Sequence, residues 1–181
     1  MGASQQNRLG SLGFTISELL ISVFIIVLMT AIAVPGWRAG EVTLTLDRAA
    51  HKLGQDIRKA TELAQRAQLS SCATGSIKGY GVYISAAVPT STYTVYVECN
   101  DNQTYDGPAV DTVFQTVTLE GKVQIASATP SSFSVYFVPP VPTITIQPGN
   151  LSQAQITLSV AGDPTRFKVI TVTTKGIIDI D

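Results

Sequence analysis

The residue pattern predicts an α+β chain in which one long N-terminal helix, kinked part-way, packs on an antiparallel β-sheet head. Three observations carry this. Phe14 to Val34 is an apolar run of 21 residues with one charge, Glu18. From Thr43 to Leu69, apolar residues recur at spacings of three and four. After Gly75 the apolar period changes to two. A helix with one apolar stripe and a sheet with one apolar face each need a cover, so each is expected to bury the other.

The apolar run comes first. As a helix it would extend roughly 31 Å, the thickness of a bilayer's hydrocarbon core. Residues 1–13 are small and polar and read as a short cytoplasmic leader, with Arg8 on the side of the membrane that positive charge prefers. Glu18 is the odd feature, because a carboxylate within a membrane helix costs on the order of 2.5–3.5 kcal/mol on insertion scales. It needs a partner, and a positive amine is the natural one. Two plainer readings compete. Ala31-Ile32-Ala33 fits the small-x-small site of a secretory signal, which would release a soluble β-protein starting at Val34. A simple membrane anchor is the other. Neither accounts for Glu18.

Pro35-Gly36 is expected to kink or locally melt the helix, since proline removes a backbone donor. Trp37 and Arg38 follow where a membrane–water boundary would lie. The next stretch carries the stripe Leu46, Ala49, Ala50, Leu53, Ile57, Ala60, Leu63, Ala64 and Ala67. Its polar side offers the i,i+4 pairs Lys52–Asp56, Arg58–Glu62 and Glu62–Arg66, with His51 one turn beyond Asp47. Such alternating signs describe a solvated face rather than a phosphate track.

Nine strands are then expected: Ile77–Ser85, Tyr93–Cys99, Thr112–Leu119, Val123–Ile125, Phe133–Val138, Thr143–Ile146, Gln155–Val160, Phe167–Thr173 and Ile177–Ile180. Clusters of Gly, Pro, Asn and Asp separate them, and Glu120-Gly121 suggests a tight hairpin. The Gly162-Asp163-Pro164 cluster reads as a turn. The boundaries are therefore a leader at 1–13, a transmembrane helix at 14–36, an amphipathic half at 37–72 and a β-rich head at 73–181.

Composition narrows the function. The formal charge is −1, and loss of residues 1–13 would leave 11 bases against 13 acids, so no bulk field draws the chain to nucleic acid. Sparse charge with abundant Thr, Ser, Val and Ile suits an extracytoplasmic β-protein. Cys72 and Cys99 are compatible with one disulfide, closing a loop of roughly 27 residues. The sequence carries no metal-ligand spacing, phosphate loop or nucleophile elbow, which argues for a non-enzyme without cofactor. Gly75, Gly79 and Gly81 lead into a strand and suit a bend. Glu98, Asn100, Asp101, Asn102 and Asp106 form the one oxygen-rich cluster that could hold calcium, although Asx residues are ordinary turn formers and the spacing is not that of an EF-hand.

Gly13-Phe14-Thr15-Ile16-Ser17-Glu18 ahead of an apolar run, with Pro-Gly at its far end, resembles the N-terminal processing motif of type IV pilins and type II secretion pseudopilins. The resemblance implies cleavage between Gly13 and Phe14 by prepilin peptidase, N-methylation of Phe14, and pairing of Glu18 with the new Phe14 amine of a neighbouring subunit. It implies residence in the bacterial inner membrane with the head outside the cytoplasm, and partners that are other pilin or pseudopilin subunits. The spine helix, Gly79-Tyr80-Gly81-Val82-Tyr83, Tyr93 to Val97 and Val172-Thr173-Thr174-Lys175-Gly176 are similar to GspH/FimT-like minor pilins and pseudopilins. Some of these bind DNA through arginines around the C-terminal glycine. Here one base, Lys175, precedes Gly176, and Asp179, Asp181 and the terminal carboxylate follow, which argues against that alternative.

Overall fold

A computed structural model of the chain describes residues 14–66, 72, 75–85, 87, 89–140 and 143–181, with the side chains of 34–39 outside the described set. The leader with Gly13, the side chains of Trp37 and Arg38, and Ala67 at the end of the expected stripe therefore lie outside it. The chain divides into two units, Met1–Glu41 and Val42–Asp181.

Helix α1 runs over Ile16–Arg66. Of the kink or local melting expected at Pro35-Gly36, the melting does not occur, since residues 34–39 keep helical backbone. A proline removes a single amide donor, and the hydrogen bonds on either side of it continue the helix. In the first unit, the 18 residues Ile16–Ala33 form a helix long and apolar enough to cross a membrane, and none of them is buried. The second unit holds the remainder of α1. Its stripe of Leu46, Ala49, Ala50, Leu53, Ile57, Ala60, Leu63 and Ala64 is buried throughout.

The strands are β1 (Gly79–Ile84), β2 (Thr92–Glu98), β3 (Thr112–Thr118), β4 (Val123–Thr129), β5 (Phe133–Val138), β6 (Thr143–Gln147), β7 (Gln153–Val160), β8 (Asp163–Thr173) and β9 (Ile178–Ile180). They form two antiparallel sheets. Sheet A has the order β3-β2-β1-β5-β6 and sheet B the order β4-β7-β8-β9. The helical stripe joins one face of each sheet in a common core. Tyr80, Val82, Val95, Val97, Phe133, Val135 and Phe137 come from sheet A, and Ile125, Ile156, Leu158, Ile170 and Val172 from sheet B. Alternate residues on each strand supply this core, as the period of two requires.

Two expectations are corrected. The Glu120-Gly121 turn forms, with Val123 N donating to Glu120 O at 3.2 Å, but it is a corner and not a hairpin. It carries the chain from the edge of sheet A to the edge of sheet B, and the nearby Thr90–Ile125 bridge links the segment before β2 to β4. Asp163-Pro164 is not simply a turn, because β8 already begins at Asp163. The register jumps from Ser159–Phe167 to Val160–Asp163, so Pro164 falls among residues that no β7 residue opposes. No ladder donor is needed there, and proline is tolerated.

Candidate functional site

The N-terminal segment is built by local capping. Thr15 precedes α1 and serves as its cap: Glu18 N donates to Thr15 Oγ1 at 3.3 Å and to Thr15 O at 3.1 Å. Thr15-x-x-Glu18 has the capping-box spacing, a signal carried by the sequence and absent from the expectations above. Glu18 lies in the first turn, where the helix dipole favours an anion. Its side chain is solvent-exposed, as are those of Phe14, Leu19, Leu20, Val23, Phe24 and the apolar residues that follow. Ser22 and Thr30 return their hydroxyls to the carbonyls of Glu18 and Ile26 at 2.8 Å each. Their polarity is thereby satisfied within the helix, as a water-free environment demands.

On the head, the structure joins Cys72 and Cys99 in a disulfide across 27 residues, with Cα atoms 5.8 Å apart. Cys99 opens the segment that returns to β3, and this segment holds the oxygen-rich cluster. Several of its oxygens are already engaged. The Asn100 side-chain amide donates to Asp106 Oδ2 at 2.9 Å, and the Asn102 amide donates to the same atom. Asn100 Oδ1 and Asn102 Oδ1 accept from the backbone of Asn102 and Thr104, in the manner of Asx turns. Glu98 is buried at the end of β2, and its Oε1 accepts from Asn100 N at 3.1 Å. Donors aimed at Asp106 oppose a cation there. Among the described residues no group of three or more His, Cys, Asp or Glu side chains is placed to hold a metal.

The polar side of α1 pairs differently from its sequence spacing. Glu62 meets Arg66 at 3.8 Å, as expected. Asp56 instead accepts a hydrogen bond from Tyr93 at 2.5 Å, and Asp47 meets Lys168 of β8 at 3.4 Å. Lys59 lies 5.5 Å from the centre of the Phe114 ring. A groove of about 580 Å³ beside this face is lined by Arg48, His51 and Lys52 but also by Asp47, Asp56 and Glu120, so its signs are mixed. At the chain end Lys175, Asp179 and Asp181 are all exposed. Neither region gathers the single-sign basic surface that phosphate binding requires.

Gly79 and Gly81 do not serve a bend, because both stand inside β1. A Cβ on Gly81 would lie 2.5 Å from the Tyr96 ring, and one on Gly79 would lie 2.4 Å from the Tyr136 ring. The glycines make room for two tyrosine rings laid across the sheet. Compared with known proteins, the chain matches no family model, no curated protein and no solved structure.

Proposed function

We propose that this chain is a structural subunit, a minor pilin or pseudopilin, of a type IV pilus or type II secretion filament. The observation that carries the reading is the helix Ile16–Ala33, apolar, unburied throughout, and bearing one carboxylate in its first turn. In a bilayer that surface is solvated by lipid, and in a filament core it would be covered by the same helix of neighbouring subunits. Prepilin peptidase would cut between Gly13 and Phe14. The methylated Phe14 amine would then meet Glu18 of an adjacent subunit, where low dielectric strengthens their attraction. The β-rich head, closed by its own core and a disulfide, is the displayed part. Its role is structural rather than catalytic.

The test is the N-terminal mass of mature protein recovered from membranes and from sheared surface material. A chain beginning at methylated Phe14 supports the reading. A chain beginning at Val34 overturns it in favour of a secreted domain released by signal peptidase.

A further inference from the structure

The outer face of sheet A, turned away from the common core, is not left to water. Tyr96, Glu98, Ser134 and Tyr136 on that face are all buried, with Glu98 0% exposed. The covering comes from the segment that begins at the disulfide. The Tyr105 ring lies 5.3 Å from both Tyr83 and Tyr96, and its amide donates to Ser134 Oγ at 3.3 Å. Gln103 Oε1 accepts from Thr145 and Gln147 of β6 at 3.3 and 3.2 Å.

Two carboxylates fasten this cover. Asp111, 2% exposed, accepts from Cys99 N at 3.1 Å through Oδ1 and from Asp106 N at 2.8 Å through Oδ2. Glu98 Oε1 accepts from Asn100 N at 3.1 Å, while its Oε2 is buried with no hydrogen-bond partner among the described residues. Neither acid takes part in any ion pair among the described residues. The titratable groups facing Glu98 are Asp111 from the cover, Tyr96 from its own strand and Tyr136 from β5; Asp101 of the cover faces Tyr136. All are acids or phenols.

We propose that Glu98 and Asp111 form a proton-sensitive latch that seals residues 99–111 onto the outer face of sheet A. Asp111 uses both oxygens as acceptors for backbone amides. Glu98, buried with one oxygen unpartnered, is biased toward its neutral form. Burial, and after it Asp111, push the Glu98 carboxyl above the usual carboxylate range, against the opposing pull of the Asn100, Asn102 and Asp101 amides. A folded pKa raised above the unfolded value gives stabilisation that is complete below the unfolded pKa and is lost as pH rises through the folded one. The cover is therefore closed in acid. It loosens as the buried Glu98 carboxyl ionises.

Hydrogen exchange of the full chain in detergent micelles tests this, with each segment's protection corrected for the intrinsic rate at each pH. Between about pH 5 and about pH 9, protection of 99–111 in the wild type should fall up to about tenfold for each unit by which the Glu98 pKa is raised. Protection of β7 should not change over the same range. Glu98→Gln, which keeps an acceptor for Asn100 N but cannot ionise, should hold the cover's protection level across the series. A flat wild-type profile for 99–111 overturns the latch, as does a Gln variant that loses protection in parallel with the wild type. If the Gln variant does not fold, the wild-type profile against β7 still decides.

Discussion

Ile16–Ala33 and Leu46–Ala64 belong to one helix and use the same apolar residue types, yet the first shows its leucines and the second hides them. Leu20 is 66% exposed and Leu53 is 0% exposed. The difference lies in arrangement. The first stretch is apolar on every side, so no single partner surface inside the chain could cover it. The second confines its apolar residues to one stripe, and two sheets suffice to cover that. A helix apolar all round asks for lipid or for other helices, whereas a striped helix asks for a fold. The carboxylates follow the same division: Asp56 in the striped stretch accepts from Tyr93, while the Glu18 side chain in the apolar stretch is exposed.

Substitutions can break this comparison. The largest effect is expected from Glu18→Val, which should leave the protein in the membrane fraction with a folded head but absent from sheared filaments. Normal incorporation of that variant would end the assembly role given to Glu18. Next come matched truncations. Leu53→Ala should lower head stability by about 2–5 kcal/mol, through lost burial and the cavity left behind. Leu20→Ala should change it by less than about 0.5 kcal/mol. Thermal melts in detergent, followed by the head's tyrosine signal, compare the two, and equal losses would refute the division. A smaller loss than that of Leu53→Ala is expected at the tie between helix and sheet. Tyr93→Phe removes the hydrogen bond to Asp56 and should cost about 1–3 kcal/mol. Burial, and then Asp56, hold the Tyr93 phenol above its ordinary value, so its contribution is complete below the unfolded tyrosine pKa and lost on going alkaline. The Phe variant should therefore lose less stability than wild type as pH rises past about 10, and a melt series would show whether the two curves converge.

Much of the head was legible as strands, because Tyr80-x-Val82-x-Ile84 and Ala154-x-Ile156-x-Leu158 carry their burial in the period itself. Partition into sheets was not legible. Glu120-Gly121 would serve a hairpin or a corner equally well, and only pairing between strands distant in sequence chose the corner. The stripe on α1 could be read residue by residue, but two of its expected ion pairs could not. Asp47 and Asp56 were drawn to Lys168 and Tyr93, groups more than thirty residues away. The Thr15 cap was legible in the Thr-x-x-Glu spacing at the start of the apolar run. The Glu98-to-Asp106 cluster looked like a set of ligands because spacing shows which oxygens are near one another, not which amides already hold them.

The sequence by itself determined where this chain is long and apolar enough to cross a membrane, where it turns amphipathic and where its strands run, since those follow from local periodicity and from the length of one apolar run. The tertiary structure alone decided that Cys72 meets Cys99, that Gly79 and Gly81 receive the rings of Tyr136 and Tyr96, and that Glu98 and Asp111 are buried together under one segment. These depend on strand register and on which face of a sheet a returning loop covers. They are set by the total free energy of packing across the head, and no window of neighbouring residues contains them.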